Sequence, residues 1–502
     1  MKERLPQLAS NWISAVGALA AVVSIVAIVF LLTVNFFRPI ASPYLGIVLY
    51  LFLPFFLAGG LLLIPLGMYR KWRTWQKTGE MPYFKWPSVD LNKPRHRNAA
   101  LVFFFGTLVF VLISMVVTYQ AYHYTDSVVF CGETCHRVMK PEYTAYQHSP
   151  HARVKCVSCH IGPGAGWYAR SKLQGLYQVY AVLADVYPRP IPTPLEDLRP
   201  ARETCEECHW PSHFFGARQR RFDHYLYNRD NTHWPITMLI KVGGGLPGTL
   251  QPTGIHWHVN EDIRIEYIAR DRQRQDIPWV RVVNKRTGAV TVYEDAGSPL
   301  SKEAVAAAKP RVMDCIDCHN RPSHRFLPPD YAVDLALASG RIDPSIPEIK
   351  RNAVNAMALR YRSEAEAMEG IARTLTDTYR TVHPGFSEKN AGIIAEAVES
   401  TQALYRDTIF PHMNARWSVY PNHIGHFYFR GCMRCHDGNH KNESGVAITG
   451  SCTACHLILS QGRAGGAVEI DLESGIPFRH PADIGDVWKS GACYECHNGI
   501  QP

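Results

Sequence analysis

The sequence predicts a mostly α-helical and irregular protein. Three N-terminal membrane-spanning helices lead into a soluble part stapled by seven cysteine-histidine clusters, with a small β-rich insert and a helical insert between them. Three observations carry this expectation. Three long, charge-free apolar stretches fill the first 120 of 502 residues. All 14 cysteines fall in Cys-Cys-His clusters. Two cluster-free gaps, 210–314 and 320–431, differ in hydrophobic period.

The apolar stretches run from Ile13 to Phe37, Pro43 to Tyr69 and Ala99 to Tyr119, and about 20 apolar residues suffice to cross a bilayer. A removable signal peptide has a shorter apolar core than the first stretch, and a second span follows at once. A buried globular helix pair would show polar faces, which these stretches lack. The link between the second and third spans holds Arg70, Lys71, Arg73, Lys77, Lys85, Lys93, Arg95 and Arg97 against Glu80 and Asp90. The link between the first two holds only Arg38. Basic links stay in the cytoplasm, so everything after Gln120 is expected outside, in the periplasm of a bacterium, with the chain as a multi-pass protein of the inner membrane. The net charge of +9 has the same origin. Residues 1–120 hold 11 Lys/Arg and three acids, leaving 42 basic and 41 acidic residues elsewhere. The basic balance is a topology signal and gives no reason to expect nucleic acid.

Six clusters have the form C-x-x-C-H: Cys156/Cys159/His160, Cys205/Cys208/His209, Cys315/Cys318/His319, Cys432/Cys435/His436, Cys452/Cys455/His456 and Cys493/Cys496/His497. The first, Cys131/Cys135/His136, is one residue longer. Two thiols so spaced reach the two vinyl groups of one porphyrin, and the adjacent His supplies an axial nitrogen to iron. Structural zinc pairs two C-x-x-C arms and does not explain a His after every second Cys; a disulfide framework fails likewise. The expected cofactors are therefore seven covalently bound c-type haems, and the fold class is a multihaem cytochrome c. Covalent haem attachment on the outer face agrees with the topology.

The spacing divides the chain into a membrane anchor (1–120), a first haem domain with haems one to three (121–225), a β-rich insert (226–310), a haem-four segment (311–330), a helical insert (331–420) and a C-terminal haem domain with haems five to seven (421–502). Within the first insert, Asp262–Ile268 alternates with period two, and Trp279–Val283 and Ala289–Tyr293 flank a turn ending at Gly288. Within the second, Pro347–Thr381 and Ser387–Thr408 read as helical, with Ser387 as N-cap. The haem-dense stretches should hold little regular structure beyond short helices.

Iron that only transfers electrons favours six-coordination, whereas chemistry needs an open position. Seven motif histidines leave 16 others, enough to complete every iron. The distal candidates are His151, His224, His256, His258, His324, His426, His440 and His480, with Met139 for haem one. His256 and His258 alternate around Trp257 in an expected strand and so point to opposite faces; one could ligate while the other packs. His148, His213, His233, His383, His412 and His423 are assigned to ordinary structural roles.

The segment Cys131-Gly-Glu-Thr-Cys-His-Arg-Val-Met139 through Ser149-Pro-His151 to Cys156-Val-Ser-Cys-His160 resembles the NapC/NirT family of membrane-bound quinol dehydrogenases. The resemblance covers roughly residues 100–225. It implies a transmembrane helix leading directly into haem one, and a distal ligand from the Ser-x-His pattern. It also implies a lysine after the second motif near a quinol pocket, matched here by Lys172. The family's acidic partner about seven residues later is absent, since Val179 stands there; Asp185 lies further on. Three spans and seven haems depart from the usual one span and four or five haems. In this the chain is similar to the larger inner-membrane cytochromes of metal-reducing bacteria.

The resemblance implies a quinol-oxidising oxidoreductase of anaerobic respiration. Menaquinol would be the substrate, Lys172 the quinol-site group, haem one the entry and periplasmic c-type cytochromes the recipients, with respiration of extracellular metal as the role the resemblance suggests. Ten residues (121–130) separate Gln120 from Cys131, so haem one lies within about 35 Å of the membrane. Two other readings stand beside it: a terminal reductase of nitrite or a similar small acceptor, and a passive relay fed by another membrane subunit. The expected partners are the lipid bilayer, quinol and periplasmic cytochromes, with homo-oligomerisation or a membrane complex left open.

Overall fold

Backbone groups in hydrocarbon have no water to pair with, so a lone apolar span folds as a helix. The computed structural model describes residues 8–37, 52–79, 90–134, 136–195, 198–210, 214–244 and 254–500. Its first long helices are α1 (Trp12–Phe37), α2 (Leu53–Thr78) and α3 (Pro94–Thr125), all long and apolar enough to cross a membrane. The expected start of the second span, 43–51, lies outside the described residues. Helix α2 continues past Tyr69 through Arg70, Lys71, Arg73 and Lys77 until Gly79, at φ 72°, ends it. That left-handed turn suits a residue without Cβ.

The chain folds as two compact units, residues 1–125 with 161–177, and residues 126–160 with 178–502. In the first unit α1 and α2 meet through small residues. A Cβ on Gly17 would stand 2.6 Å from the Gly60 carbonyl oxygen, and one on Gly60 2.7 Å from that of Gly17. Close backbone approach of this kind is how helices associate where no hydrophobic drive exists. The Ser14 hydroxyl donates to the Ile64 carbonyl at 2.9 Å.

The second unit holds two antiparallel sheets. One has the order β6-β3-β4-β5-β7, from β3 (Ile263–Ile268), β4 (Trp279–Asn284), β5 (Val290–Asp295), β6 (Arg311–Val312) and β7 (His440–Lys441). Its first three-strand meander follows the expected alternation, with Ile265 opposite Val282. The other sheet joins β1 (Arg218–Tyr225) and β2 (His233–Ile240) to β8 (His456–Gly462) and β9 (Val468–Ile470). Strand β8 begins on a motif histidine, so the C-terminal haem stretch contains more regular structure than expected. Its register depends on β2, more than 200 residues away, with Ile240 opposite His456.

The helical insert comprises α4 (Pro329–Ala338), α5 (Ile349–Ala358), α6 (Glu364–Val382) and α7 (Ala391–Thr408). Their apolar faces close over Val333, Ile346, Ile349, Val354, Ile371, Leu375 and Tyr379, all fully buried. Ser363 caps α6, its hydroxyl accepting from Glu366 N at 3.2 Å. Ser387 does not cap α7 as expected. It lies inside a short helix, Pro384–Lys389, because Pro384 takes a first-turn position, the place in a helix that needs no N–H. A buried ion pair, Lys350 Nζ to Asp334 Oδ1 at 2.7 Å, ties α5 to α4.

Candidate haem-ligating sites

Four of the six strict clusters hold both cysteines on a single helical turn: Cys156–His160, Cys315–Cys318, Cys452–Cys455 and Cys493–Cys496. Such a turn carries the paired cysteines on one face. In the third cluster the turn Arg202–Cys205 ends on the first cysteine, and at Cys432 a 3-10 turn, Gly431–Arg434, ends one residue before the second. The longer first cluster lies in a π-helical turn, Phe130–Thr134, a wider winding that absorbs one extra residue. Gly132 is required there, since a Cβ would fall 2.4 Å from the Tyr143 ring. Cys135 and the His136 side chain lie outside the described residues.

A metal–imidazole bond is about 2.0–2.1 Å, so with roughly another ångström from nitrogen to ring centre, two imidazoles on one metal have centres about 6 Å apart. Six motif histidines each face a second histidine at that spacing. The pairs are His160 with His324 at 6.1 Å, His209 with His151 at 6.1 Å, His319 with His256 at 6.2 Å, His436 with His258 at 5.7 Å, His456 with His426 at 6.2 Å and His497 with His480 at 6.2 Å. Each pair could hold one haem iron.

The ring nitrogens agree with this use. Nδ1 of His256, His258, His324, His436 and His480 each meets a backbone carbonyl, of Val242, Ile255, Glu142, Thr449 and Ala482, at 2.7–2.9 Å. A bonded Nδ1–H leaves the lone pair on Nε2, as a metal ligand requires. Burial holds His160, His256, His319, His324, His426 and His456 below the usual imidazole range. It pushes His258 and His497 to about 4. These rings are neutral, the form that ligates. A cavity of about 440 Å³ is walled by Phe214, Phe215 and Val242 and ends on Cys208, His209 and His256, the mixture a porphyrin face and its attachment need.

Six of the nine distal candidates thus stand opposite a motif histidine, and two do not. His440 spends both nitrogens inside the protein, Nδ1 on Asp437 Oδ1 at 2.9 Å and Nε2 on the Ile277 carbonyl at 2.6 Å. Both nitrogens face protein oxygens, so neither is open to iron. His224 stands 3.6 Å from the Asp334 carboxylate and beside Phe427. Met139 lies half-buried on the helix His136–Gln147, with the side chain of its motif histidine undescribed. His256 and His258 are not on a strand. They share a 3-10 turn, Ile255–Val259, and address two motif histidines, so neither is left merely to pack. His423, given a structural role, has one: its nitrogens meet the Asp317 and Gln273 carbonyls, both at 3.0 Å.

Two residues that hold these sites together escaped the sequence reading. Asp317, between the cysteines of the fourth cluster, is buried and its Oδ1 accepts from Tyr267 Oη at 2.7 Å, Arg274 at 2.6 Å and Arg311 at 2.8 Å. Arg434, between the cysteines of the fifth cluster, is also buried and donates to the carbonyls of Asp317, Arg274 and Gly431 at 2.7–2.9 Å. The available signal was charge at positions where the attachment chemistry asks for none.

Lys172 lies on the helix Ala165–Leu183, half-buried, with Nζ 3.5 Å from Thr125 Oγ1 and 5.0 Å from the centre of the Tyr168 ring. Val179 is exposed, and Asp185 is paired with Arg189.

Residues 93–190 match the NapC/NirT cytochrome c family, N-terminal region. The chain is 44% identical over 490 residues to the cytochrome c-type protein ImcH of Geobacter sulfurreducens, covering 97% of this chain and 95% of that one. It is 27% identical over 122 residues to the cytochrome c-type protein NrfH of Wolinella succinogenes, covering 24% of this chain and 68% of that one. No solved structure matches. The chain therefore belongs to the NapC/NirT family of cytochromes c, as an ImcH-like member, a family that implies covalently bound c-type haem.

Proposed function

We propose that the chain is an inner-membrane menaquinol dehydrogenase that passes electrons through seven c-type haems to periplasmic c-type cytochromes, in respiration that ends on extracellular metal. The observation that carries the electron-transfer part is the set of six facing histidine pairs at 5.7–6.2 Å. Fixed imidazoles on both sides of an iron leave no position for a substrate. That favours transfer over a terminal reductase of nitrite, which needs an open iron.

In this reading the motif histidines are the proximal ligands, and His324, His151, His256, His258, His426 and His480 complete haems two to seven in that order. Met139 is the proposed sixth ligand of haem one. Each bound haem supplies a centre that takes up and releases one electron. Menaquinol gives two electrons and two protons on becoming menaquinone; the electrons pass one at a time to haem, both protons pass to the water outside the membrane, and the polypeptide must orient the quinol hydroxyl. Lys172 is the proposed orienting residue, a hydrogen-bond donor held by Thr125 at the end of α3. Five residues lead from Thr125 to Cys131, which limits the reach between membrane helix and first attachment site to about 20 Å. The basic link between α2 and α3 supports a cytoplasmic N-terminus and a periplasmic haem region.

Anaerobic mixing of the purified full-length protein with menadiol, followed by haem absorbance, tests the reading. Rapid reduction that slows at least several-fold in Lys172→Ala is expected. No reduction, or equal rates in the variant, overturns the quinol site. Reduction only in the presence of another membrane subunit would identify a passive relay.

A further inference from the structure

We infer that the seven attachment sites lie side by side in chain order, so that the protein is a single unbranched relay with its exit at the Cys493 cluster. This rests on the proposed haem occupancy and deepens it by assigning the path. Chain order is not required by the chemistry, since a fold can bring any two clusters together, and the distal histidines show how freely this one crosses. His324 follows cluster four yet faces cluster two, and His151 precedes cluster two yet faces cluster three. The cysteines themselves nevertheless meet only as consecutive neighbours among the described contacts.

The Cys131 thiol is hydrogen-bonded to Cys156, joining clusters one and two. The turn Cys156–His160 packs on the turn Arg202–Cys205, joining two and three. Cys205 is hydrogen-bonded to Cys315, and Ala201 N, at the head of the third turn, donates to Asp314 Oδ2 at 3.1 Å. Those contacts join three and four. Clusters four and five interlock through Arg434 and the Asp317 carbonyl at 2.8 Å. His256 and His258, two residues apart, face one motif histidine each of the same two clusters. Clusters five and six are tied by His436 Nδ1 and the Thr449 carbonyl at 2.7 Å, just ahead of Cys452, and Cys432 lies close enough to Cys455 to act on its thiol. His426 faces His456 and the next residue, Phe427, stacks on His497 at 4.4 Å, and Cys452 acts on the Cys493 thiol, joining six and seven.

Each thiol marks the porphyrin edge to which it is bonded. Neighbouring thiols therefore set neighbouring porphyrin edges together, and an electron leaving one ferrous iron reduces the ferric iron of the next cluster along the chain. No side branch bypasses a cluster, so loss of any interior site cuts the path.

Imaging the haem-loaded full-length protein by electron cryo-microscopy reads the order without any activity. The expected result is seven irons whose close neighbours are their chain-order neighbours. An iron lying nearest a non-consecutive one, or a path that skips a cluster, overturns the inference. A second reading comes from Cys315→Ala with Cys318→Ala, checked by intact mass for the loss of one haem. Menadiol should then reduce haems one to three as in the unaltered protein while haems five to seven lose rapid reduction; full-rate reduction of all six overturns the relay. If this variant does not accumulate, the iron positions decide alone. If menadiol fails to reduce the unaltered protein, the quinol reading falls and the iron order is still measured.

Discussion

His256 and His319 lie almost parallel, at 7°, with ring centres 6.2 Å apart, although one belongs to a 3-10 turn and the other to a haem-attachment motif. Phe214 stacks on His256 at 4.0 Å, and Val242 holds its Nδ1. The ring is fixed before any metal arrives. His256→Ala should therefore open one axial position at haem four and give a high-spin ferric signal in the electron paramagnetic resonance spectrum. His440→Ala should leave that spectrum unchanged. The opposite pattern would exchange their proposed roles.

Asp317 is a buried carboxylate shared by two arginines, a tyrosine and its own turn. Removing one partner of such a buried pair costs about 3–5 kcal/mol. Asp317→Ala should lower the apparent melting temperature and reduce the fraction of molecules carrying a full haem complement, as measured by mass spectrometry. Full loading at unchanged stability would remove Asp317 from the architecture of haem four.

At the first cluster, Gly132→Ala drives a methyl group into the Tyr143 ring, an overpacking worth about 1–3 kcal/mol. The expected outcome is partial loss of haem one, relieved in the double variant Gly132→Ala with Tyr143→Ala. Complete loading of the single variant would contradict the close contact.

Asp330 is buried beside Lys350, Asp334 and Tyr428, and burial raises its carboxyl to about 6. The folded chain then holds this proton more tightly than the unfolded chain. The stability it contributes is full below the ordinary carboxylate value and falls as pH climbs from about 4 to about 6. Asp330→Asn does not titrate, so its melting temperature should gain on that of the unaltered protein as pH rises from 4 to 7. A difference that stays constant, or that moves in favour of the unaltered protein as pH rises, would refute the raised proton affinity.

The cysteine-histidine clusters were legible because the chemistry they suggest is local: two thiols and an imidazole within a turn of one another are recorded by spacing. Six of the histidines singled out beside them do face a motif histidine, but which one each faces was not legible. His324 reaches the motif histidine His160 and His151 reaches His209 through tertiary packing, which leaves no trace in spacing. The alternation His256-Trp257-His258 has the period of a strand, yet three residues per turn in a 3-10 helix also send i and i+2 to different sides. Strand β8 was missed for a related reason, because its pairing with β2 is set by the fold around it. The three apolar helices, by contrast, are written in length and uninterrupted apolarity, and the β3–β5 meander in a simple period.

All of this depends on porphyrin being bonded at every cysteine pair. The most direct test is the intact mass of the full-length protein, denatured so that only covalent groups remain. A shift equal to seven haems is predicted. A smaller number would leave at least one cysteine pair without porphyrin, and none would leave the facing histidines without a metal to share.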